Sequence, residues 1–290
     1  MSIFVDNDTR VIVQGITGSQ GKYHTEQMKA YGTDIVAGAV PGKGGEKIHG
    51  VPVFDTVFEA AEQTEANASV IFVPPAAGKD AVFEAIAAQL DPVIVISEGI
   101  PQQDMVLIRR RLSETGTRLI GPNTPGIITP GQTKLGIFPN DLTAAGSVGI
   151  ISRSGTLTYQ IVEELNQEGI GQSTVLGVGG DPIIGTTFRD ALSAFEADPQ
   201  TDAVVLCGEI GGEQEEQAAE FIQESMTTPV VGFVAGRTAP AGTRMGHAGA
   251  IITSDGTGTA EHKIRLLKRA GADIAHTPKE IPTLLKSVLE

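Results

Sequence analysis

Two doubly wound α/β domains in one chain are what this sequence predicts. Three observations predict it. Near-continuous Val/Ile runs alternate with helix-length amphipathic stretches along the whole chain, 36 glycines are present, and only 4% of the residues are aromatic. Val/Ile runs without polar alternation suit parallel strands buried on both faces, and the lengths between them suit right-handed βαβ crossovers. A length of 290 residues fits two domains of ordinary size, and 40% apolar residues are enough to build their cores.

Apolar runs at 11–15, 35–40, 69–73, 93–96 and 118–120 read as the strands of the first domain, with helices at 23–31, 57–63, 79–90 and 103–114 between them. Pro and Gly then cluster from 121 to 139, which forbids a helix there and reads as an ordered connection or part of a site. Leu142-Thr143-Ala144-Ala145-Gly146-Ser147 follows, and the expected division is 1–143 and 144–290. A second series has strands at 148–151, 174–177, 203–208, 230–235 and 273–276, with helices at 157–168, 188–196, 215–225, 261–270 and 282–288. The sequence holds no short internal repeat and no low-complexity segment.

Composition narrows the function. A formal charge of −14 argues against a nucleic-acid partner, because affinity for a phosphate backbone rests on clustered Lys and Arg. No apolar run approaches the ~18 residues that a membrane-spanning helix needs. The opening Met1-Ser2-Ile3-Phe4-Val5-Asp6 has no basic segment followed by an apolar one, so a cytoplasmic protein is expected. The single cysteine, Cys207, sits in an apolar run and reads as a buried inert thiol. An acidic surface suited to high salt and an ordinary acidic protein both remain compatible with the charge.

The chemistry-bearing motifs stand at strand ends. Gln14-Gly15-Ile16-Thr17-Gly18-Ser19-Gln20-Gly21 joins a first strand to its helix, where glycines admit a ligand phosphate and helix N–H groups favour its charge. A nicotinamide-binding unit would carry an acidic residue about 20 positions on, for a ribose hydroxyl. Pro41-Gly42-Lys43-Gly44-Gly45 stands there instead, and Lys43 is a point charge for an additional phosphate. That favours CoA over NADP and disfavours NAD. Ile96-Ser97-Glu98-Gly99 ends the fourth strand; Glu98 there is either an acceptor for an adenine or ribose group or a cap for the next helix. Ser152-Arg153-Ser154-Gly155-Thr156 opens a helix and serves as an N-cap, an anion site, or both.

His24, His49, His262 and His276 stand alone, without metal-ligand spacing, and no metal site is expected. His247 differs. In Arg244-Met245-Gly246-His247-Ala248-Gly249-Ala250-Ile251 it lies among glycines that leave its ring accessible. An accessible imidazole whose tautomer is fixed by a carboxylate is a nucleophile toward phosphorus. Glu209, at the tip of a buried strand in Leu206-Cys207-Gly208-Glu209, is the candidate carboxylate. A general base and a structural histidine stay open on physics alone.

Together with Gly121-Pro122-Asn123, Gly179-Gly180-Asp181-Pro182 and Gly208-Glu209-Ile210-Gly211-Gly212, these motifs come in an order that resembles the α subunits of succinate–CoA ligases, over essentially the whole chain. The resemblance implies a Rossmann-like CoA-binding domain followed by a flavodoxin-like ligase domain. It implies that CoA contacts Thr17, Gly18, Ser19 and Gln20, with Lys43 at its phosphates and Ile96, Ser97 and Glu98 on the far side. Tyr159 is similar to the family's succinate-site residue, Ser154 and Gly155 to the start of its phosphate-facing helix, His247 to its phosphorylated histidine and Glu209 to that histidine's partner. The implied reaction, a step of the tricarboxylic acid cycle, converts succinyl-CoA, phosphate and NDP to succinate, CoA and NTP through succinyl phosphate and phosphohistidine. The implied partner is a β subunit of ATP-grasp fold that holds Mg²⁺ with ADP/ATP or GDP/GTP, without which this chain is inactive. Thr124 departs from the pattern, standing where many relatives have cysteine. A related CoA ligase acting on another acid, an NADP-dependent dehydrogenase and a non-catalytic CoA sensor are the competing readings.

Overall fold

The structure is a computed structural model that describes residues 2–239, 247, 249–250 and 258–289. The first unit is a sheet of β1 (Arg10–Gln14), β2 (Asp34–Ala39), β3 (Lys47–Ile48), β4 (Val51–Phe54), β5 (Ala68–Ile71), β6 (Val93–Val95) and β7 (Leu119–Ile120). Their order is β3-β4-β2-β1-β5-β6-β7, parallel throughout except for the short β3 edge. Without that edge the order is the doubly wound 3-2-1-4-5-6 of dinucleotide-binding sheets. Val11, Ile12 and Val13 are completely buried, as a central parallel strand with covered faces requires. The connecting helices are α1 (Ser19–Tyr31), α2 (Val57–Thr64), α3 (Gly78–Ala87) and α4 (Gln102–Leu112).

The second sheet holds β8 (Gly126–Thr129), β9 (Thr133–Gly136), β10 (Ala145–Ser152), β11 (Gln172–Gly177), β12 (Ala203–Gly208), β13 (Val230–Val234) and β14 (Asp273–Ile274), in the order β14-β13-β12-β10-β11-β8-β9. Its five parallel strands follow the 2-1-3-4-5 order of flavodoxin-like sheets. The helices are α5 (Gly155–Gln167), α6 (Phe188–Glu196), α7 (Gln214–Ser225), α8 (Ala260–Arg269) and α9 (Ile281–Leu289). Cys207 is fully buried in β12, and burial pushes its thiol up to about 12, so it is inert as read. Among the described residues no helix is long and apolar enough to cross a membrane.

The Pro/Gly-rich stretch is more regular than its composition implies. β8 and β9 form an antiparallel hairpin, and β8 pairs antiparallel with β11. The hairpin precedes the expected division near 143 yet hydrogen-bonds into the second sheet. Gly126 and Gly136 face each other with φ of +102° and +136°, and a Cβ on either would strike the opposite backbone. The Thr33 hydroxyl, before β2, donates to the Lys134 carbonyl at 2.8 Å and accepts from its N–H at 3.0 Å, tying the hairpin to the first unit. Lys134 itself is buried; its Nζ donates to the Phe138 carbonyl at 2.8 Å and to Asn140, and burial lowers its ammonium to about 8.

Thr33→Val keeps the shape of the side chain and removes both bridging bonds. Leaving the buried Lys134 N–H and C=O unpartnered costs about 1–3 kcal/mol, so the melting temperature of the variant falls by several degrees. Differential scanning calorimetry checks this.

Candidate active site

Ligands of open parallel sheets sit beyond the carboxyl ends of the strands, where the direction of winding reverses. In the first sheet that point lies between β1 and β5. The turn after β1 has Gly15 at φ +77°, and Gly18 caps α1 with no side-chain hydrogen bond and no acidic residue in the first turn. The positive helix end is therefore uncompensated beside Thr17, Gly18, Ser19 and Gln20, the last three exposed. Gly21 packs so closely on the Gly15 carbonyl that any Cβ would collide. A cavity of about 270 Å³ opens beside Gly15, lined by Gln14, Val40 and Val73 and by the acidic residues Asp55, Asp80 and Glu84; Thr17, Gly18, Ser19 and Gln20 do not line it. Lys43 does not line it; its ammonium is half-exposed and 3.0 Å from the Glu46 carboxylate.

In the second sheet the reversal lies between β10 and β12, and it gathers most of the remaining candidates. Ser154 caps α5, its hydroxyl accepting from the Leu157 N–H at 3.3 Å, and the first turn holds no acidic residue. Ser154 thus performs the cap, and Gly155 starts a helix whose positive end faces a cavity of about 280 Å³. Asn123, Thr124, Ser154, Gly155, Tyr159 and His247 line that cavity, with Ile96 and Arg153. Tyr159 is half-buried edge-on to Phe138, ring centroids 5.8 Å apart, and burial raises its hydroxyl.

His247 Nδ1 lies 2.8 Å and 2.9 Å from the two carboxylate oxygens of Glu209, which follows β12 directly. The histidine side chain is 26% exposed and the carboxylate 10%. A carboxylate at Nδ1 keeps the proton there and gives the chemistry to Nε2. The Glu209 hydrogen bond raises the imidazole above its ordinary value, while partial burial and Arg153 oppose it. Gly246, the first of the glycines expected to flank the ring, lies outside the described residues. A different glycine shapes the pocket: a Cβ on Gly180 would sit 2.5 Å from the His247 ring.

The two units meet at this cavity. The Asn123 N–H donates to the Ser97 carbonyl at 3.0 Å, its carbonyl accepts from the Gly180 N–H at 3.1 Å, and its side chain donates to Asp181 at 3.0 Å. Ser97 also donates to the Val73 carbonyl, which fixes the loop carrying Ile96 and the exposed Glu98. Burial raises the Asp181 carboxyl, against hydrogen bonds from Asn123 and the Gly99 backbone. Sequence reasoning quoted Asn123, Arg153, Gly180 and Asp181 inside motifs and assigned none of them a place in the site. The structure therefore brings Ile96, Ser154, Gly155, Tyr159 and His247 together around the second cavity, with Glu209 behind His247; Thr17–Gln20 stand at the start of α1, Ser97 and Glu98 follow Ile96 in the loop after β6, and Lys43 stays apart, paired with Glu46.

Residues 6–99 match the family model described as CoA binding domain, and residues 151–272 the one described as CoA-ligase. Subunit alpha 2 of the ADP-forming succinate–CoA ligase of Archaeoglobus fulgidus is 58% identical over 289 residues, covering 100% of both chains. The chain belongs to the succinate–CoA ligase α-subunit family. The corresponding subunit of Staphylococcus epidermidis is 55% identical over 285 residues, 98% of this chain and 94% of its own. Among solved structures, ATP citrate lyase from Methanothrix soehngenii in complex with citrate and coenzyme A shares the fold, with a TM-score of 0.87 at 24% identity. That match covers 99% of this chain, which spans 50% of the lyase chain. The dinucleotide-forming acetyl-coenzyme A synthetase 1 of Ca. Korarchaeum cryptofilum gives 0.77 at 20% identity, over 97% of this chain and 61% of its own.

Within this family pattern Thr124 now has a structural explanation. Its buried hydroxyl donates to the Gly177 carbonyl at 2.6 Å and accepts from the Gly126 N–H at 2.9 Å, pinning the hairpin to the end of β11. A cysteine thiol makes the same two bonds more weakly.

Gly180→Ala is expected to push the imidazole off Glu209. Phosphate incorporation into the chain falls at least ~10-fold, the rate attached to about 1.4 kcal/mol of lost positioning, while CoA affinity measured by calorimetry stays at the wild-type value. In the phosphohistidine reaction that the family resemblance implies, phosphorylation also needs a neutral ring. Its rate therefore declines as pH falls through the raised His247 value, giving an acid limb above the ordinary histidine midpoint of about 6.5.

Proposed function

We propose that this chain is the CoA-binding, phosphoryl-accepting α subunit of a succinate–CoA ligase, divided into a CoA-binding unit (1–143) and a ligase unit (144–290). One observation carries the reading: an imidazole whose Nδ1 is held by a buried carboxylate shares a cavity with a helix N-terminus that has no acidic residue in its first turn. That arrangement binds phosphate and presents a nucleophile to it.

Thr17, Gly18, Ser19 and Gln20 receive the diphosphate of CoA at the start of α1, and Lys43 leaves Glu46 for the remaining phosphate. Ile96, Ser97 and Glu98 lead the pantetheine arm between the units toward Tyr159 and the second cavity. A phosphate oxygen attacks the thioester carbonyl of succinyl-CoA. The C–S bond breaks, the phosphate proton passes to the departing sulfur, and succinyl phosphate remains. His247 Nε2 then attacks phosphorus, the P–O bond to the acyl group breaks, and succinate leaves as its carboxylate. Glu209 holds the Nδ1 proton and offsets the positive charge that the ring acquires. The Gly155 N–H, at the start of α5, stabilises the transferring phosphoryl oxygens beside Ser154, whose own N–H is held by the Ser152 hydroxyl at 3.1 Å. Transfer to a nucleoside diphosphate restores the neutral imidazole.

The nucleotide and its Mg²⁺ belong to a β subunit of ATP-grasp fold in this reading. The relatives' designation as α subunits supports the existence of such a partner. The absence of an expected acidic residue after β2 supports CoA over a nicotinamide cofactor. We place the complex in the cytoplasm.

The complex co-purified with its β subunit is incubated with γ-labelled ATP and Mg²⁺. The expected result is acid-labile, base-stable phosphate on this chain, discharged by succinate plus CoA and absent from His247→Asn. An unlabelled wild-type chain beside a competent partner overturns the proposal. A label discharged by a different acid moves the substrate assignment and leaves the chemistry standing.

A further inference from the structure

The carboxylate that faces His247 is itself backed by a buried chain of alternating charge. Arg153 Nη2 lies 3.2 Å from Glu209 Oε1, and Arg153 Nη1 lies 3.5 Å from Glu215 Oε1 and donates to the Gly211 carbonyl at 3.0 Å. Lys263, on α8, contacts the other oxygen of Glu215, donates to the same Gly211 carbonyl at 2.8 Å and lies 3.4 Å from Glu216. The Glu209 N–H donates to Glu215 Oε1 at 3.0 Å. The Arg153 side chain is 2% exposed, and those of Glu215 and Lys263 are 0% exposed.

Burying charges in this way gives little net stability, since apolar residues of equal volume do as well. Its value lies in what stands at the end of the chain, where the last carboxylate holds His247. Among the described residues, four charged groups act on that ring from four segments: Glu209 after β12, Arg153 after β10, Glu98 after β6 and Asp181 after β11. Among these four, Arg153 is the cation. Without it, the described charges left around an imidazole that must return to neutrality before each transfer are carboxylates, and Glu209 loses the group that fixes its plane.

We propose that Arg153 is a positioning residue for the phosphoryl-accepting histidine, bridging Glu209 and Glu215 so that the Glu209 carboxylate stays aligned with Nδ1 and its charge on the ring is partly offset. The inference rests on the phosphohistidine reading above. Arg suits the task because its planar fork reaches two carboxylates at once, which a lysine ammonium on a single stem does not. Lys263 fixes the far end, joining α8 to Glu215 in the first turn of α7 and to the Gly211 carbonyl before it.

The test is single-turnover phosphorylation of the α–β complex by ATP and Mg²⁺ as a function of pH, for wild type, His247→Asn, Arg153→Lys and Arg153→Met, with CoA affinity as a check of folding. Arg153→Met is expected to move the acid limb upward by about one pH unit and to lower the plateau rate. Arg153→Lys, which keeps the charge and loses the bridge, retains the wild-type acid limb with a lowered plateau. A Met variant that binds CoA normally and keeps the wild-type pH profile overturns the proposal. If the Met variant does not fold, the Lys variant decides: a lowered plateau at an unchanged limb supports the bridge, and a wild-type plateau overturns it. A wild-type chain that takes no phosphate is a different result, the failure of the phosphohistidine reading itself.

Discussion

A hydrogen bond between one imidazole nitrogen and one buried carboxylate orders everything else in this molecule. In the proposed reaction His247 attacks only if its proton stays on Nδ1, and Glu209 at 2.8–2.9 Å is placed to keep it there. The carboxylate in turn must neither swing away nor overcharge the ring. Its position directly after β12 answers the first need, because a fully buried central strand has no freedom to move its end. The Arg153–Glu215–Lys263 chain meets the second. Gly180 completes the arrangement by its lack of a side chain, since nothing larger fits beside the ring.

The fold supplies the geometry twice. Each sheet reverses its winding once, and each reversal leaves a crevice where a helix begins with no acidic residue in its first turn. The first crevice carries Thr17–Gln20 and the second Ser154–Gly155, so two anion-favouring helix ends serve one chain. Asn123 brings them into one mechanism. Its three hydrogen bonds, to Ser97, Gly180 and Asp181, bind the loop after β6 to the loop after β11. The β8–β9 hairpin strengthens the seam, reaching from the first unit to extend the second sheet while Thr33 grips it from behind.

Much of this was legible before any coordinates. Short apolar runs rich in β-branched residues, such as Val93-Ile94-Val95 and Ala203-Val204-Val205-Leu206, mark buried parallel strands because both faces of such a strand are covered. Glu209 was readable as an orienting group because it stands at the tip of such a strand. The hairpin was harder to see. Its strands are four residues each, flanked by Pro and Gly, and the signal was the Pro130-Gly131-Gln132 turn between two short apolar-bearing runs. Lys43 was visible as a charge near the second strand, but its pairing with Glu46 depends on loop geometry that spacing does not encode. Arg153, Glu215 and Lys263 were missed because buried ions follow no apolar period. Lys263 did leave a trace, since it shares the buried face of α8 with Ala260 and Leu267 at i, i+3 and i+7.

The central claim is that Glu209 reserves Nε2 for phosphorus by occupying Nδ1, and the regiochemistry of the phosphohistidine reports on it directly. The phosphorylated chain is hydrolysed in alkali and the phosphohistidine isomer identified by ³¹P NMR against the two standards. The account predicts phosphate on Nε2, with Glu209→Gln yielding far less of it. Phosphate on Nδ1 would contradict the account outright, because that nitrogen cannot hold a phosphoryl group and donate to Glu209 at once.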